Sequence, residues 1–400
     1  MRLPFDSDDP VLARAAWSRL AEPADRAAGV LVQAVGPARA LAWLAGARNS
    51  ATIEVDEWSA GQGDGGECPS ALAAARQRWQ TRLDGLDPRR ELRALERLGG
   101  WLVTPEDPGW PAALDDLGAE APFCLWLRGG PAVAAQLGES LTPAVAVVGS
   151  RAATSYGEAV TAALAGDLAA RGIAIVSGGA FGIDAVAHRA ALAQGGLTVS
   201  VMAGGVDRYY PLGNEALLKA VARDGAVISE LPPGAAPRRE RFLSRNRLIA
   251  ALAQVTVVTE SGWRSGSHRT AAVAAELLRP VGAVPGPVTA ASSAGCHRLV
   301  RQGVATLVTG ADEVRELMAP LGLVTLAEPA VTAGPLDDLA PLDRQVLDSL
   351  PLRRGATPTA LVAASGVATP QVMAALGRLE RAGRAVQAGG VWRKARLAAG

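Results

Sequence analysis

A doubly wound α/β domain, with a Rossmann-like parallel sheet covered by helices on both faces, is the fold class that this sequence predicts. Three observations carry that expectation. Between Ala144 and Met318, short apolar runs alternate with segments of helical patterning. The runs are apolar throughout rather than at alternate positions, the pattern of strands buried on both faces of a parallel sheet. The first two runs also end in glycine-rich turns, Gly149-Ser150-Arg151 and Ser177-Gly178-Gly179-Ala180-Phe181-Gly182, each leading into a helix.

Ala144–Val148 is the first strand, and Thr154 or Ser155 then caps a helix that ends near Gly172. Ile173–Val176 is the second strand. Leu197–Met202, Ala226–Ser229, Val255–Thr259 and Val281–Val284 continue the sheet, with helices expected near 181–194, 213–223, 246–253 and 267–278. Ligands of such sheets bind outside the carboxyl ends of the strands. A glycine turn there brings backbone N–H groups to a phosphate, and the next helix's positive N-terminus adds to the attraction. The plainer alternative is that these glycines only make tight turns.

The strand ends carry Gly149-Ser150-Arg151, Ser177-Gly178-Gly179, Ala203-Gly204-Gly205-Val206-Asp207, Glu230 and the stretch Ser261–Ser267. Beside them falls the most charged segment of the domain, from Arg238 to Arg247. Between Ala235 and Arg269 there are seven arginines against two glutamates. Arginine forks hold phosphates bidentately. Phe242, inside the cluster, offers a base a stacking surface. It equally fits a core plug beneath a charged loop, and spacing does not separate the two.

Before the sheet, residues 9–100 read as short helices, with Leu12, Ala15, Ala16 and Leu20 at helical spacing, then Leu31, Val32 and Val35, then Leu41 and Leu44. The Val35-Gly36-Pro37 break fits a nucleic-acid-binding hairpin or an ordinary packed helix turn. Asp56–Pro69 is a glycine- and acid-rich loop, and Ala71–Leu98 resumes helical patterning with many arginines. Trp101–Arg128 is a transition, with a strand candidate at Phe123–Leu127, expected to cover one edge of the sheet. After the sheet, Leu342–Leu350 is a helix, Thr357-Pro358 and Thr369-Pro370 open two more, and Val386–Lys394 is a hairpin turning at Gly389-Gly390. That order predicts a winged helix-turn-helix. Its third helix, with Gln371, Arg378 and Arg381, fits DNA contact, protein docking or a regulatory lid. The chain thus divides into a helical domain (SAM- or HhH-like) at 1–100, a Rossmann-like domain at 101–320, a linker at 321–337 and a winged helix at 338–400.

Four hundred residues exceed one compact core, in keeping with several domains. With 40 basic against 39 acidic residues, any nucleic-acid surface must be a local patch. Cys68, Cys124 and Cys296 are odd in number and widely spaced, as in a reduced cytosolic protein without a disulfide framework. The first ten residues hold three aspartates and no apolar run, unlike a signal peptide. The longest uncharged stretch, Gly355–Gly377, contains Pro358 and Pro370, unlike a membrane helix. A soluble, cytoplasmic protein is expected.

Several chemistries do not fit. Gly178-Gly179-x-x-Gly182 is not the dinucleotide fingerprint, and no carboxylate near 199–201 could hold a ribose. His188, His268 and His297 lack metal-ligand spacing. Ser177 lacks the flanking glycine of a nucleophile elbow, and no Walker sequence is present. Asp184 is read as orienting its loop and His188 as a helix-face residue with a partner. No cofactor, metal or catalytic residue is assigned.

Val147-Val148-Gly149-Ser150-Arg151, the run from Val176 to Asp184 with Ala187-His188, and Phe242 to Ala250 resemble the DNA-processing protein A family (DprA, also called Smf). Ser265-Gly266-Ser267-x-x-Thr270-Ala271, Val284-Pro285-Gly286-Pro287 and Gly295-Cys296-His297-x-Leu299 extend the match. The resemblance implies a non-enzymatic, homodimeric protein that binds single-stranded DNA, protects the incoming strand in natural transformation and hands it to the RecA recombinase. By motif match Arg151 would grip a phosphate, and Arg239, where the family often has lysine, would join Phe242 in a pocket for the strand. The candidate DNA-binding set is Gly149, Ser150, Arg151, Ser177, Gly178, Gly179, Arg239, Phe242, Arg245, Asn246, Arg247, Ser265, Gly266 and Ser267.

Two rivals remain. The fold is similar to that of nucleotide phosphoribohydrolases, but alanines at 271 and 272 stand where their carboxylate is required, and Glu276 is nearly two turns on. The other rival is a regulator reading duplex DNA through the winged helix.

Overall fold

The computed structural model of the chain describes residues 3–46, 69–319, 339–352 and 355–395. The linker 321–337, the acid-rich loop ahead of the helix that starts at Pro69, and Cys68 lie outside the described residues. The chain forms two compact units, residues 1–325 and 326–400. Among the described residues no single helix is long and apolar enough to cross a membrane.

The first unit is built on a nine-stranded sheet. Its strands are β1 (Gly100–Val103), β2 (Leu125–Gly129), β3 (Ala144–Gly149), β4 (Ala174–Ser177), β5 (Thr198–Val201), β6 (Ala226–Ser229), β7 (Val255–Glu260), β8 (Val281–Ala283) and β9 (Thr306–Leu307). They lie in the order β1-β2-β6-β5-β4-β3-β7-β8-β9. All pairings from β6 to β9 are parallel. Helices on both faces complete the Rossmann-like α/β fold. From β3 the chain winds outward to β6, then returns to place β7 on the other side of β3. The crevice at the carboxyl ends of β3 and β7 is therefore the topological switch point.

β3 is central because it can be buried on both sides. Ala144, Ala146 and Val148 face one core with Leu248–Ala253, while Val145 and Val147 face another with Leu164, Leu168 and Ile183. The helix after β3, Ser155–Ala170, is capped by the Thr154 hydroxyl, which accepts from Gly157 N–H at 3.2 Å.

Three sequence expectations need correcting. The 101–128 transition does not merely cover the sheet edge. It supplies β1 and β2, which pair antiparallel with each other, and β2, where the strand candidate Phe123–Leu127 stood, also pairs antiparallel with β6. Ala71–Leu98 is two helices, Pro69–Gln80 and Pro88–Arg97, because Gly85 turns at φ 68° and Asp87 caps the second. The arginine-rich segment is not a loop ahead of a helix at 246. It is itself helical over Arg239–Ala251.

Helices Pro10–Leu20, Arg26–Val35, Pro37–Ala45 and Pro69–Gln80 enclose Trp17, Leu31, Leu41 and Trp79, with the two tryptophans edge-to-face at 5.3 Å. Ala15 and Leu95 join Trp126, Met202 and Leu218 in a further cluster that packs this layer on the sheet. The arginine helix is seated by charge as well. Buried Arg247 forms a bidentate pair with buried Glu230, at 2.8 and 2.6 Å, and its Nε donates to the Glu120 carbonyl. Arg241 reaches Glu22 of the N-terminal layer at 2.9 Å.

The second unit has its own core, Val346, Leu347, Leu361, Leu376, Leu379 and Trp392 among it. Helices Pro341–Ser349, Pro358–Ser365 and Thr369–Arg381 precede a hairpin, Ala385–Ala388 with Val391–Lys394. Its turn needs Gly389 and Gly390, both at positive φ. Arg378 on the third helix is held by Asp343 at 2.6 Å, leaving Gln371 and Arg381 as exposed polar residues.

Removing one partner of a buried ion pair strands the other charge. Glu230→Ala should therefore cost about 3–5 kcal/mol in urea unfolding, while Glu230→Leu combined with Arg247→Met should restore most of the loss. Equal losses in both variants would show that the pair does not seat this helix.

Candidate nucleic-acid interface

A 780 Å³ groove opens at the switch point. The turn Gly149–Ala152 after β3 forms one wall and the loop Gly262–Thr270 after β7 another. The arginine helix and Tyr210 close the third side. Arg151, Arg238, Arg239 and Arg264 line this groove, are exposed, and form no salt bridge among the described residues, although the charge of Arg151 is felt by Asp184. The one carboxylate in the lining is Asp184, and it is buried. The groove is a strongly positive cleft on a nearly neutral chain.

The β3 turn is shaped by close approach. A Cβ on Gly149 would lie 2.6 Å from Ile183 Cγ1 and 2.7 Å from the Glu260 carbonyl, so only glycine fits. Ser150 N–H donates to that carbonyl at 2.8 Å. The following helix N-terminus is already supplied with an anion from the protein. Buried Glu260 accepts from Thr154 N–H at 2.9 Å and from its hydroxyl at 2.8 Å.

The second glycine turn is satisfied in the same way. Asp184 Oδ2 accepts from Gly178 N–H at 3.1 Å and from Ala180 N–H at 3.4 Å. Burial pushes the Asp184 carboxyl up, against the lowering pull of Arg245 and these two N–H groups. Asp184 thus orients its loop as expected, but it fills the place a phosphate would take. Ser177 is fully buried, its hydroxyl donating to the Val147 carbonyl at 2.7 Å. Ser177, Gly178 and Gly179 therefore do not line the groove, a correction to the candidate set. Arg247 is another, since both its ends are used internally.

Arg245 is intermediate between wall and core. Its guanidinium lies over Gly178, where a Cβ would come within 2.1 Å of Nη1, and it donates to the Val201 carbonyl. Burial pulls its pKa down to about 10, opposed by Asp184, so it keeps its charge at neutral pH. His188 is buried on the helix Ile183–Ala193, with Nδ1 2.7 Å from the Thr198 hydroxyl. Burial, then Arg245, push it down to about 3, which leaves it neutral.

Phe242 belongs to no core cluster. It stands half-buried on the groove wall, 5.5 Å from the Tyr210 ring, with the Arg151 guanidinium 5.4 Å above its face. This is a cation–π contact between two residues of the groove lining. Tyr210, exposed and just past the β5 strand end, escaped the sequence reading. Its one signal was the Tyr209-Tyr210 pair after Asp207. Arg264 was visible only as one of seven arginines. Asn246 donates to the Gly266 carbonyl at 3.3 Å and ties the arginine helix to the loop Ser265-Gly266-Ser267, all of which line the groove.

Where the phosphoribohydrolases need a carboxylate, Ala271 is buried, and Glu276 sits at the far end of the helix Ser267–Glu276. Burial pushes the thiols of Cys124 and Cys296 up to about 12, so neither is a nucleophile at neutral pH. No group of His, Cys, Asp and Glu suited to a metal occurs among the described residues.

Residues 101–319 match the family described as DNA recombination-mediator protein A. A putative DNA processing protein DprA of Mycobacterium tuberculosis is 44% identical over 403 residues, covering 98% of this chain and 96% of that protein. DNA processing protein DprA of Streptococcus pneumoniae is 42% identical over 178 residues, 44% of this chain and 61% of its own length. The X-ray structure of DprA from S. pneumoniae covers 70% of this chain and 92% of its own at 31% identity and a TM-score of 0.55. Sheet, groove and near full-length similarity agree, and the chain belongs to the DNA-processing protein A (DprA/Smf) family.

Proposed function

We propose that this chain binds single-stranded DNA along the switch-point groove and works without catalysis. The observation that carries the reading is the joint lining of one groove by two aromatic rings and four arginines that form no salt bridge among the described residues. Arginines track a phosphate backbone, and aromatic faces take unpaired bases, which a duplex keeps stacked inside. Arg151 and Arg239 are assigned to the backbone and Phe242 with Tyr210 to a base. Gly149, Ser150, Asn246, Ser265, Gly266 and Ser267 complete the contact surface.

Family membership supports the wider role: protecting the incoming strand and handing it to the RecA recombinase in transformation and recombination, as a cytoplasmic homodimer. We assign residues 1–100, 101–320 and 338–400 to helical, strand-binding and winged-helix domains.

Arg151→Ala should weaken binding of an oligothymidylate by about 1.5–3 kcal/mol and flatten the dependence of affinity on salt. Unchanged affinity and slope in a folded variant would remove Arg151 from the site. Phe242→Ala should cost about 1–3 kcal/mol of binding with almost no salt dependence, while Phe242→Trp keeps most of it. Because Arg151 rests on this ring, the two alanine losses should fall short of additive. A fall in melting temperature for both Phe242 variants with affinity intact would defeat stacking. Nucleoside monophosphates should yield no free base; release in proportion to protein would revive the hydrolase reading. Tighter binding of duplex than single strand would favour a regulator acting through the second unit.

A further inference from the structure

Behind the serine loop runs a line of hydrogen-bond contacts. Arg298, on the helix Ala294–Arg301, places Nη2 2.6 Å from His268 Nδ1. His268 Nε2 lies 2.9 Å from Ser261 Oγ. Ser261 Oγ is 3.0 Å from Ser267 Oγ, which is 2.8 Å from Ser265 Oγ. Ser267 N–H also donates to Ser265 Oγ, at 3.3 Å.

An arginine has donors and no acceptor, so His268 Nδ1 must accept and carries no proton. The neutral ring then has its hydrogen on Nε2 and donates to Ser261. Ser261 has one hydrogen and two acceptors in reach, Ser267 Oγ at 3.0 Å and the Gly262 carbonyl at 3.3 Å, and we assign it to the nearer. Ser267 in turn donates to Ser265. Ser265 Oγ therefore accepts from both the hydroxyl and the amide of Ser267, and its own hydrogen has no acceptor among the described residues. Ser265 lines the groove.

The surroundings hold this arrangement. A Cβ on Gly295 would lie 2.5 Å from His268 Nε2, so glycine there leaves room for the ring. The Arg298 guanidinium lies 5.1 Å from the centroid of the Trp263 ring, which clamps it from outside. Burial, then Arg298, push the His268 pKa down. The ring stays in the neutral form that the line requires.

We propose that Arg298 and His268 are positioning residues that polarise the serine loop, so that Ser265 offers its hydroxyl hydrogen to a phosphate oxygen of the bound strand. This rests on the strand-binding reading and adds to it two side chains that need not touch DNA.

The test is a titration of the full chain with fluorescein-labelled oligothymidylate at one salt concentration. Ser265→Ala and His268→Ala should each weaken binding on the order of tenfold, the loss of one hydrogen bond to a charged group. The double variant should be no weaker than either single one, because both remove the same bond. His268→Gln should bind like the parent, since its amide oxygen accepts from Arg298 while its N–H donates to Ser261. Full affinity in His268→Ala, losses that multiply in the double variant, or a His268→Gln as weak as His268→Ala would each overturn the proposal. Should His268→Ala melt below the assay temperature, the same cycle with Arg298→Met decides. A parent chain that binds no strand overturns the strand-binding reading and this one together. A parent that binds and is weakened by Arg151→Ala but not by His268→Ala overturns this one alone.

Discussion

Two guanidinium groups, those of Arg245 and Arg247, lie inside the first unit, and the groove depends on how their charge is met. A buried cation without acceptors is far too costly to keep. Arg247 is matched by Glu230 and the Glu120 carbonyl, Arg245 by the Val201 carbonyl with Asp184 nearby. These bonds fix the helix Arg239–Ala251 against the strand ends from two sides, because Arg245 and Arg247, two residues apart, project from nearly opposite flanks. Arg239 and Phe242 line the groove together with Arg245. One helix thus divides its arginines between holding itself in place and facing a ligand.

The same economy governs the strand-end turns. In a nucleotide-binding sheet the glycine turns and helix N-termini are left open for phosphate. Here Glu260 occupies one and Asp184 the other. The positive potential of the groove therefore comes from side chains on its walls rather than from a backbone cradle beneath them. Side chains spread along a cleft suit an extended polyanion better than a single phosphate.

Much of this was legible in the sequence. All-apolar runs gave six strands of the sheet, and Thr154, Thr357, Gly389 and Gly390 marked caps and a turn where they are found. Patterning failed where an element's role depends on distant partners. Arg247 and Arg239 look alike in a row of arginines, and only Glu230, far along the chain, makes one of them structural. Gly178-Gly179 reads as a phosphate loop until Asp184, six residues after Gly178, turns back onto its amides. β1 carried no strand signal, and the strand candidate at Phe123–Leu127 could not be seen to be a member of the sheet, because the antiparallel pairing of β2 is settled by β6, nearly a hundred residues away. Tyr210 carried no periodic signal, and its place on the wall follows from tertiary packing.

Filling both anion cradles from within has a consequence for competition. Among the described residues both strand-end turns already hold a carboxylate, so a free mononucleotide would meet only the wall arginines. A strand bound as proposed would engage several of them together, each contact after the first forming at the high effective concentration set by the tether. Discrimination between polymer and monomer then needs no recognition of strand length as such. It follows from one glutamate, Glu260, and one aspartate, Asp184, having taken the seats that a nucleotide would want.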